Sequence, residues 1–462
     1  MTSCDVAVIG AGPGGYVCAV RAAQLGAKVV VVEREELGGV CLNWGCIPTK
    51  TLIYTAEIYR KLQHAKDLGL KVDGLEVDME ALIKRKNGVV RRNKGGIDAL
   101  FRSYGIQLVR GDARVTAKGR IQVGAEEVQA KAIVVATGSS PAQIPGLETD
   151  GERVLSSTDA LDLTEVPKRV VVIGAGAIGA EFACIWNAFG AKVTLVEMMP
   201  HVVPLEDEEI ADLLEKSLKK KGIDVRTETK VAGIERGKQG VTVTFEGKKP
   251  DPVEADYVLV GIGRKLHSEV VSESPGLGVK LGRRGDIIVD ERMETSVPGI
   301  FAIGDVTGKT MLAHGASAEG LVAAANAVGG DERMDYRVVP ACTFTSPEVA
   351  SVGMTEREAR EAGIDVRIGR FSFMASGRAA AMGETEGLVK IVGDARTDEL
   401  IGVHIMGAEA GELIAEAAVA MKMEATVSEI AHTIHTHPTL AETLMEAAED
   451  YFGKSIHTPK RA

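Results

Sequence analysis

Val8–Gly15 reads V-I-G-A-G-P-G-G, and Val172–Gly179 reads V-I-G-A-G-A-I-G. Each octapeptide follows a short Val/Ile run, Val6–Ile9 in one case and Val170–Ile173 in the other. In the pattern G-x-G-x-x-G after a strand, the first glycine (Gly10, Gly174) permits the tight turn. The second (Gly12, Gly176) lets a pyrophosphate approach the backbone, and the third (Gly15, Gly179) lets helix pack on strand. The diphosphate then sits on a helix N-terminus, where free N–H groups and the helix dipole favour anions. An acidic residue ends the next strand in each unit, Glu33 and Glu197, placed to accept hydrogen bonds from ribose hydroxyls. All four positions repeat at an offset of 164 residues. The alternative is an ordinary glycine-rich turn with no ligand, and repetition of the motif with matching acid spacing weakens that alternative further. The chain therefore carries two dinucleotide-binding units in tandem. The economical pair of ligands is a flavin held permanently and a nicotinamide that exchanges. Glu197 repels a 2′-phosphate, and Met198-Met199-Pro200-His201 after it contain no arginine, which favours NAD over NADP.

Outside the fingerprints, further Val/Ile runs (Val29–Val32, Ile133–Val135, Val193–Val196, Val258–Val260) alternate with helical stretches such as Tyr16–Leu25, Met79–Phe101 and Glu206–Lys221. That alternation predicts parallel sheets with crossover helices. From about Val339 the pattern changes to hairpin-like strands (Glu348–Gly353, Asp365–Phe373, Gly387–Val392, Leu400–Met406), then helices from Ala408 and Thr439, which predicts a separate α+β domain. The expected division is a first dinucleotide domain over 1–145, a second over 146–268, a central segment 269–338 returning to the first, and a C-terminal interface domain over 339–462. The length, 462 residues, agrees with about three domains at roughly 150 residues each. A net charge of −11 disfavours nucleic acid or an acidic membrane surface as the main partner. No apolar stretch is long enough to span a membrane. The start, MTSCDVAVIG, enters a strand at once and reads as free of a signal or transit peptide, so a cytoplasmic protein is expected. Six cysteines are too few for a disulfide scaffold.

The sharpest chemical signal is Gly38-Gly39-Val40-Cys41-Leu42-Asn43-Trp44-Gly45-Cys46-Ile47-Pro48-Thr49-Lys50. A thiol at a helix N-terminus has its pKa lowered, and Lys50, one turn on, adds positive charge. Five residues of ideal helix rise about 7.5 Å, too far for a disulfide, so bridging Cys41 and Cys46 needs the helix to break; Gly45 gives that freedom. The alternative is two buried structural cysteines. A metal site would want more ligands nearby. Cys4, Cys18, Cys184 and Cys342 lie in apolar stretches and read as inert core thiols.

A third constellation is His435-Thr436-His437-Pro438-Thr439-Leu440-Ala441-Glu442. Thr439-x-x-Glu442 has the form of a capping box, so Glu442 is equally well a helix cap or the carboxylate that orients His437 as a base. His435 reads as structural. Smaller signals are Ala136-Thr137-Gly138 and Gly304-Asp305, each ending a buried strand, and Gly261-x-Gly263-Arg264, closing the second unit.

Together these segments resemble the disulfide-linked flavoprotein reductases, and among them the dihydrolipoamide dehydrogenases, over essentially the whole chain from Asp5 to about Gly453. Gly39–Lys50 is similar to the family's redox-active disulfide motif and His435–Glu442 to its H-x-H-P-T-L-x-E signature. The resemblance implies FAD held at Gly10, Gly12, Gly15, Glu33, Thr137, Gly138 and Asp305, and NAD held at Gly174, Gly176, Gly179 and Glu197, with Gly263 in the closing loop. It implies that Cys46 faces the flavin, that Cys41 exchanges with substrate, and that His437 with Glu442 is the acid/base. Lys50 and Glu181 match a pair placed near the flavin in such enzymes, with a surface ion pair as the alternative. Met311, Leu312, Ala313 and His314 resemble the M-L-A-H segment beside the isoalloxazine. A homodimer is implied, with His437 reaching the other subunit's site, and a lipoyl-bearing carrier protein of a 2-oxo acid dehydrogenase or glycine cleavage complex as partner. Three positions depart from the family: Lys265-Leu266-His267 replaces a loop with Pro and Asn, Trp44 stands where a small residue is common, and Gly315 replaces a Lys. Glutathione-type reductases use NADPH, which Glu197 disfavours. Mercuric and large thioredoxin reductases need a C-terminal cysteine pair, and no cysteine follows Cys342. A flavoprotein subunit that only scaffolds a complex would not need both the Cys41/Cys46 and the His437/Glu442 sets.

Overall fold

The computed structural model describes residues 2–238 and 240–459. Its first sheet is built around the strand Thr2–Ile9, which pairs in parallel with Val29–Glu33 on one side and Glu126–Val135 on the other. Gln107–Arg110 extends one edge in parallel, and Arg120–Val123 and Ala113–Ala117 extend the other antiparallel. Val29, Val30, Val31 and Val32 are all buried, as continuous apolar strands covered on both faces must be. The second sheet is parallel throughout, in the order Asp224–Arg226, Lys192–Val196, Arg169–Ile173, Tyr257–Val260, Val154–Leu155. The register pair Ile9↔Val32 recurs as Ile173↔Val196, at the same 164-residue offset as the glycines. The two fingerprints thus sit on equivalent strand ends.

After the second sheet the chain returns to the first: Ile300–Ala302 pairs in parallel with Glu126–Val135. A two-stranded ribbon, Ser139–Pro141 against Arg264–Leu266, marks the outward and return passages. The C-terminal sheet is antiparallel, in the order Ala341–Thr343, Glu348–Gly353, Leu400–Gly407, Leu388–Asp394, Val366–Ser372. The helices Ala410–Lys422, Val427–His432 and Glu442–Tyr451 follow it. Two tandem Rossmann-like domains with a distinct α+β C-terminal domain are therefore observed.

The last helix starts three residues later than its sequence suggests. Thr439 does not cap it; the Thr439 hydroxyl donates to the Thr436 carbonyl at 2.7 Å, and the N-cap is Ala441. Half of the expected box survives, because Glu442 still accepts the Thr439 N–H at 2.9 Å. Among the described residues no helix is long and apolar enough to cross a membrane.

Candidate active site

The redox segment is folded by its glycines. Gly38 and Gly39 both take positive φ, 91° and 56°, and a Cβ on Gly39 would meet the Gly12 Cα at 2.8 Å. Only glycine lets this segment lie so close against the first fingerprint. The Asn43 amide ties the following turn to the Leu37 and Gly39 carbonyls at 3.0 and 2.9 Å. The helix Gly39–Trp44 then breaks at Gly45 (φ −142°, ψ −113°), and a new helix, Cys46–Gln63, starts at the second cysteine. Cys41 and Cys46 therefore lie on either side of a break, as bridging them requires. Here both are thiols. Cys41 donates its S–H to Cys46, and this bond, with Lys50 and the helix start helping against burial, pushes the Cys46 thiol down to about 7. The same bond and burial push Cys41 far up.

Both cysteines line a cavity of about 1180 Å³ that also takes in Gly10, Gly12, Gly15, Glu33, Lys50, Thr137, Gly138, Glu181, Asp305, Met311, Leu312, Ala313 and His314. Lys50 Nζ bonds both Glu181 oxygens at 2.8 and 2.9 Å and lies 4.6 Å from the Phe344 ring centroid. Glu181 is buried and also accepts the Phe344 N–H at 3.0 Å, so a surface ion pair is excluded. Phe344 was not apparent in the sequence, because nothing local shows that the C-terminal domain reaches back to this wall. Cys342 is half-buried: it packs against the C-terminal core, as expected, and also lines the cavity, which the sequence did not show. Burial nevertheless pushes its thiol well up.

At the far end, Asp305 accepts a hydrogen bond from the Ser139 hydroxyl and lies 3.6 Å from Arg264, whose Nε also bonds Ser139 at 2.6 Å. The loop that departs from the family pattern keeps its ties. Thr137 Oγ1 donates to the His267 carbonyl at 2.6 Å, and the His267 N–H donates to Gly138 at 3.0 Å. Gly263 turns there at φ 75°. Gly315 is explained locally, since a Cβ there would collide with the Thr310 hydroxyl. His314 bonds the Pro340 carbonyl at 2.6 Å.

Glu33 and Glu197 have equivalent surroundings. Glu33 accepts the N–H groups of Ala11 and Glu35, each at 2.7 Å. Glu197 accepts those of Ala175 and Met199 at 2.8 and 3.0 Å. No heavy atom lies within 4 Å of where a Cβ of Gly12 or Gly176 would stand, so both turns present bare backbone to a diphosphate. These cradles, with an acid beside each, fit two dinucleotides.

His437 and Glu442 do not line the cavity. His437 Nδ1 lies 2.8 Å from Glu442 Oε1, while Oε2 accepts the Thr439 N–H, so the cap and the histidine partner occupy different oxygens of one carboxylate. Against a burial penalty, those two partners hold Glu442 below the usual carboxylate range. The His437 side chain is 79% exposed, so a second molecule can reach its ring. His435, by contrast, is half-buried, with its side chain held on Glu416 at 2.7 Å and the Thr433 carbonyl at 2.8 Å, as a structural residue would be.

Residues 4–320 match the family described as Pyridine nucleotide-disulphide oxidoreductase, and residues 339–448 match its dimerisation domain. The chain is 48% identical to a dihydrolipoyl dehydrogenase of Thermus scotoductus over 100% of both chains. It is 42% identical to one of Rhizobium etli, over 98% of this chain and 99% of that one. The crystal structure of LpdA from Mycobacterium tuberculosis superposes with a TM-score of 0.90 at 30% identity, covering 97% of this chain and 99% of that one. With both family regions matched and the cysteine pair set beside the first fingerprint, the chain belongs to the pyridine nucleotide-disulphide oxidoreductase family.

Proposed function

We propose that this chain is a dihydrolipoyl dehydrogenase, which oxidises protein-bound dihydrolipoamide to lipoamide and reduces NAD⁺ to NADH. The observation that carries the reading is the cysteine pair across the Gly45 break, in the same cavity as the first fingerprint and the Lys50–Glu181 pair. FAD fits the cradle of Gly10, Gly12, Gly15 and Glu33, with Thr137, Gly138, Asp305 and the Met311–His314 segment along the same cavity. When bound, it supplies the two-electron path from Cys46 to NAD⁺. NAD⁺ goes to Gly174, Gly176, Gly179 and Glu197, with Gly263 in the closing loop. Glu197 disfavours a 2′-phosphate.

The chain's own residues manage thiols and protons. His437, supplied by a second copy of the chain, takes a proton from one substrate thiol. The thiolate attacks Cys41 Sγ of the oxidised pair; the S–S bond breaks and Cys46 leaves as thiolate, favoured by its low pKa. His437, having released its first proton to water, takes the proton of the second substrate thiol, and that thiolate attacks the substrate sulfur of this mixed disulfide. Lipoamide leaves, and Cys41 is reprotonated from His437. Glu442 orients the imidazole throughout, and Lys50 steadies the charge on Cys46. The partner is a lipoyl-bearing carrier of a 2-oxo acid dehydrogenase or glycine cleavage complex. The protein works as a homodimer in the cytoplasm, where thiols outside the active pair stay reduced.

An absorbance titration tests this. Dihydrolipoamide should produce a long-wavelength thiolate–flavin band, and NAD⁺ added next should yield NADH. A protein that is yellow yet inert to both would overturn the reading and favour a scaffolding flavoprotein subunit.

A further inference from the structure

Four consecutive acidic residues, Glu206, Asp207, Glu208 and Glu209, lead into the helix Glu208–Lys220 of the second dinucleotide domain. The C-terminal sheet meets them with a row of polar side chains. Ser351, His404, Lys390 and Arg370 are register neighbours on four adjacent strands, so they share one face. Burial pushes the Glu206 carboxyl up, and the nearby Ser351 hydroxyl offsets part of that. Lys390 Nζ bonds Asp207 at 2.8 and 3.0 Å and lies 3.1 Å from Glu209 and 2.9 Å from Glu356. Arg370 Nε bonds both Glu209 oxygens at 2.9 and 3.0 Å, and Arg357 bonds Glu208 at 3.0 Å. The Lys390 and Asp207 side chains are each 3% exposed, so water does not screen this pair. The other end of the row is less well tied. Glu206 Oε2 and His404 Nδ1 have no hydrogen-bond partner among the described residues, so the clamp on Asp207 and Glu209 carries the alignment.

From Glu206, next to Asp207 in the chain, a run of backbone bonds leads to the second fingerprint. The Glu206 N–H donates to the Val203 carbonyl at 2.9 Å, and the Val203 N–H donates to the Ala175 carbonyl at 2.8 Å. Ala175, inside the fingerprint, donates its own N–H to Glu197. Val203 is held at φ 41°, a costly conformation for a β-branched residue, which persists only where surrounding contacts over-determine it.

We infer that Lys390 is a positioning residue for nicotinamide dinucleotide binding. By holding Asp207 and Glu209 against the C-terminal sheet, it fixes the segment between Glu197 and Asp207 and, through Val203, the fingerprint turn that receives the diphosphate. The inference rests on the assignment of NAD⁺ to the second unit. It extends the site beyond its own domain to a lysine 193 residues after Glu197 in sequence.

The test compares Lys390→Met and Lys390→Arg with the wild type, all loaded with FAD. Calorimetry with NADH should show binding weakened about tenfold or more in Lys390→Met, the worth of one charge-assisted hydrogen bond. KM for NAD⁺ should rise in parallel while kcat stays within about twofold. Reduction of the enzyme by dihydrolipoamide without NAD⁺ should keep its wild-type rate, and Lys390→Arg should recover most of the affinity. A merely structural lysine would instead lower FAD content, dithiol reduction and kcat together. Unchanged NADH affinity in Lys390→Met, or a joint loss of all three, overturns the inference. If Lys390→Met does not fold, Asp207→Asn carries the same comparison, with the same outcomes deciding. A wild type that binds NADH but fails to oxidise dihydrolipoamide overturns the proposed function alone, since the calorimetry still reads the lysine.

Discussion

Cys46 is ionised near neutrality because three effects outweigh its burial: the S–H of Cys41, the charge of Lys50 and its place at the start of an 18-residue helix. Its pKa is lowered, so the thiolate is the form present above about 7 and is lost as the pH falls through that value. In the dithiol state the ultraviolet thiolate absorbance should titrate with a midpoint near 7. Lys50→Met should move that midpoint upward; an unmoved midpoint would remove Lys50 from the account. In the proposed mechanism His437 acts at the same scale, through proton transfer. His437→Ala should lower dihydrolipoamide turnover by roughly 10²–10⁴-fold, the usual worth of a general acid–base. Glu442→Gln should cost less, because the neutral amide still lies within reach of the imidazole and of the Thr439 N–H. Steady-state rates with free dihydrolipoamide measure both.

At the scale of elements, the two fingerprint turns owe their shape to steric exclusion. A Cβ on Gly179 would fall on the carbonyl oxygen of Gly174, as one on Gly15 would fall on that of Gly10. Gly179→Ala should force strand and helix apart in the second domain only. It should cost about 1–3 kcal/mol of stability and abolish NADH binding while the flavin stays bound. Thermal unfolding and an NADH titration of the purified flavoprotein check this, and loss of flavin instead would mean that the two domains are not independent. Such elements were legible because each rests on a local rule: glycine spacing for the turns, β-branched runs for the strands, and alternation bounded by turn residues for Glu348–Gly353. The antiparallel sheet of Thr229–Arg236, Val241–Gly247 and Val253–Ala255 was not, since its alternation is half-exposed and mixed with charge. Thr439 misled because its capping-box spacing was genuine while its hydroxyl found a nearer carbonyl. The clamp at Lys390 went unread because its strands look like ordinary core. The signal was a lysine in Leu388–Asp394 and a histidine in Leu400–Gly407, charged or titratable groups within otherwise apolar strands, set against the acidic run Glu206–Glu209.

At the scale of the whole molecule, each chain holds Cys41 and Cys46 in the cavity and His437 outside it. Mixing an inactive Cys46→Ser chain with an inactive His437→Ala chain should therefore restore activity. In a heterodimer one site receives both substitutions and the other neither, so about half of the heterodimer's sites should work. If mass measurement shows that the subunits have exchanged and activity stays absent, the histidine is not supplied across the interface. If His437 serves the other subunit's site as proposed, its exposed position also ties the catalyst to concentration. Diluted until its subunits part, the protein should keep its yellow colour and its cavity, since each chain builds those alone, yet stop turning over dithiol. Mass action would then set how scarce the enzyme can become in a cell before it falls silent, and a lipoyl-bearing assembly that gathers its subunits would raise its activity without touching the chemistry.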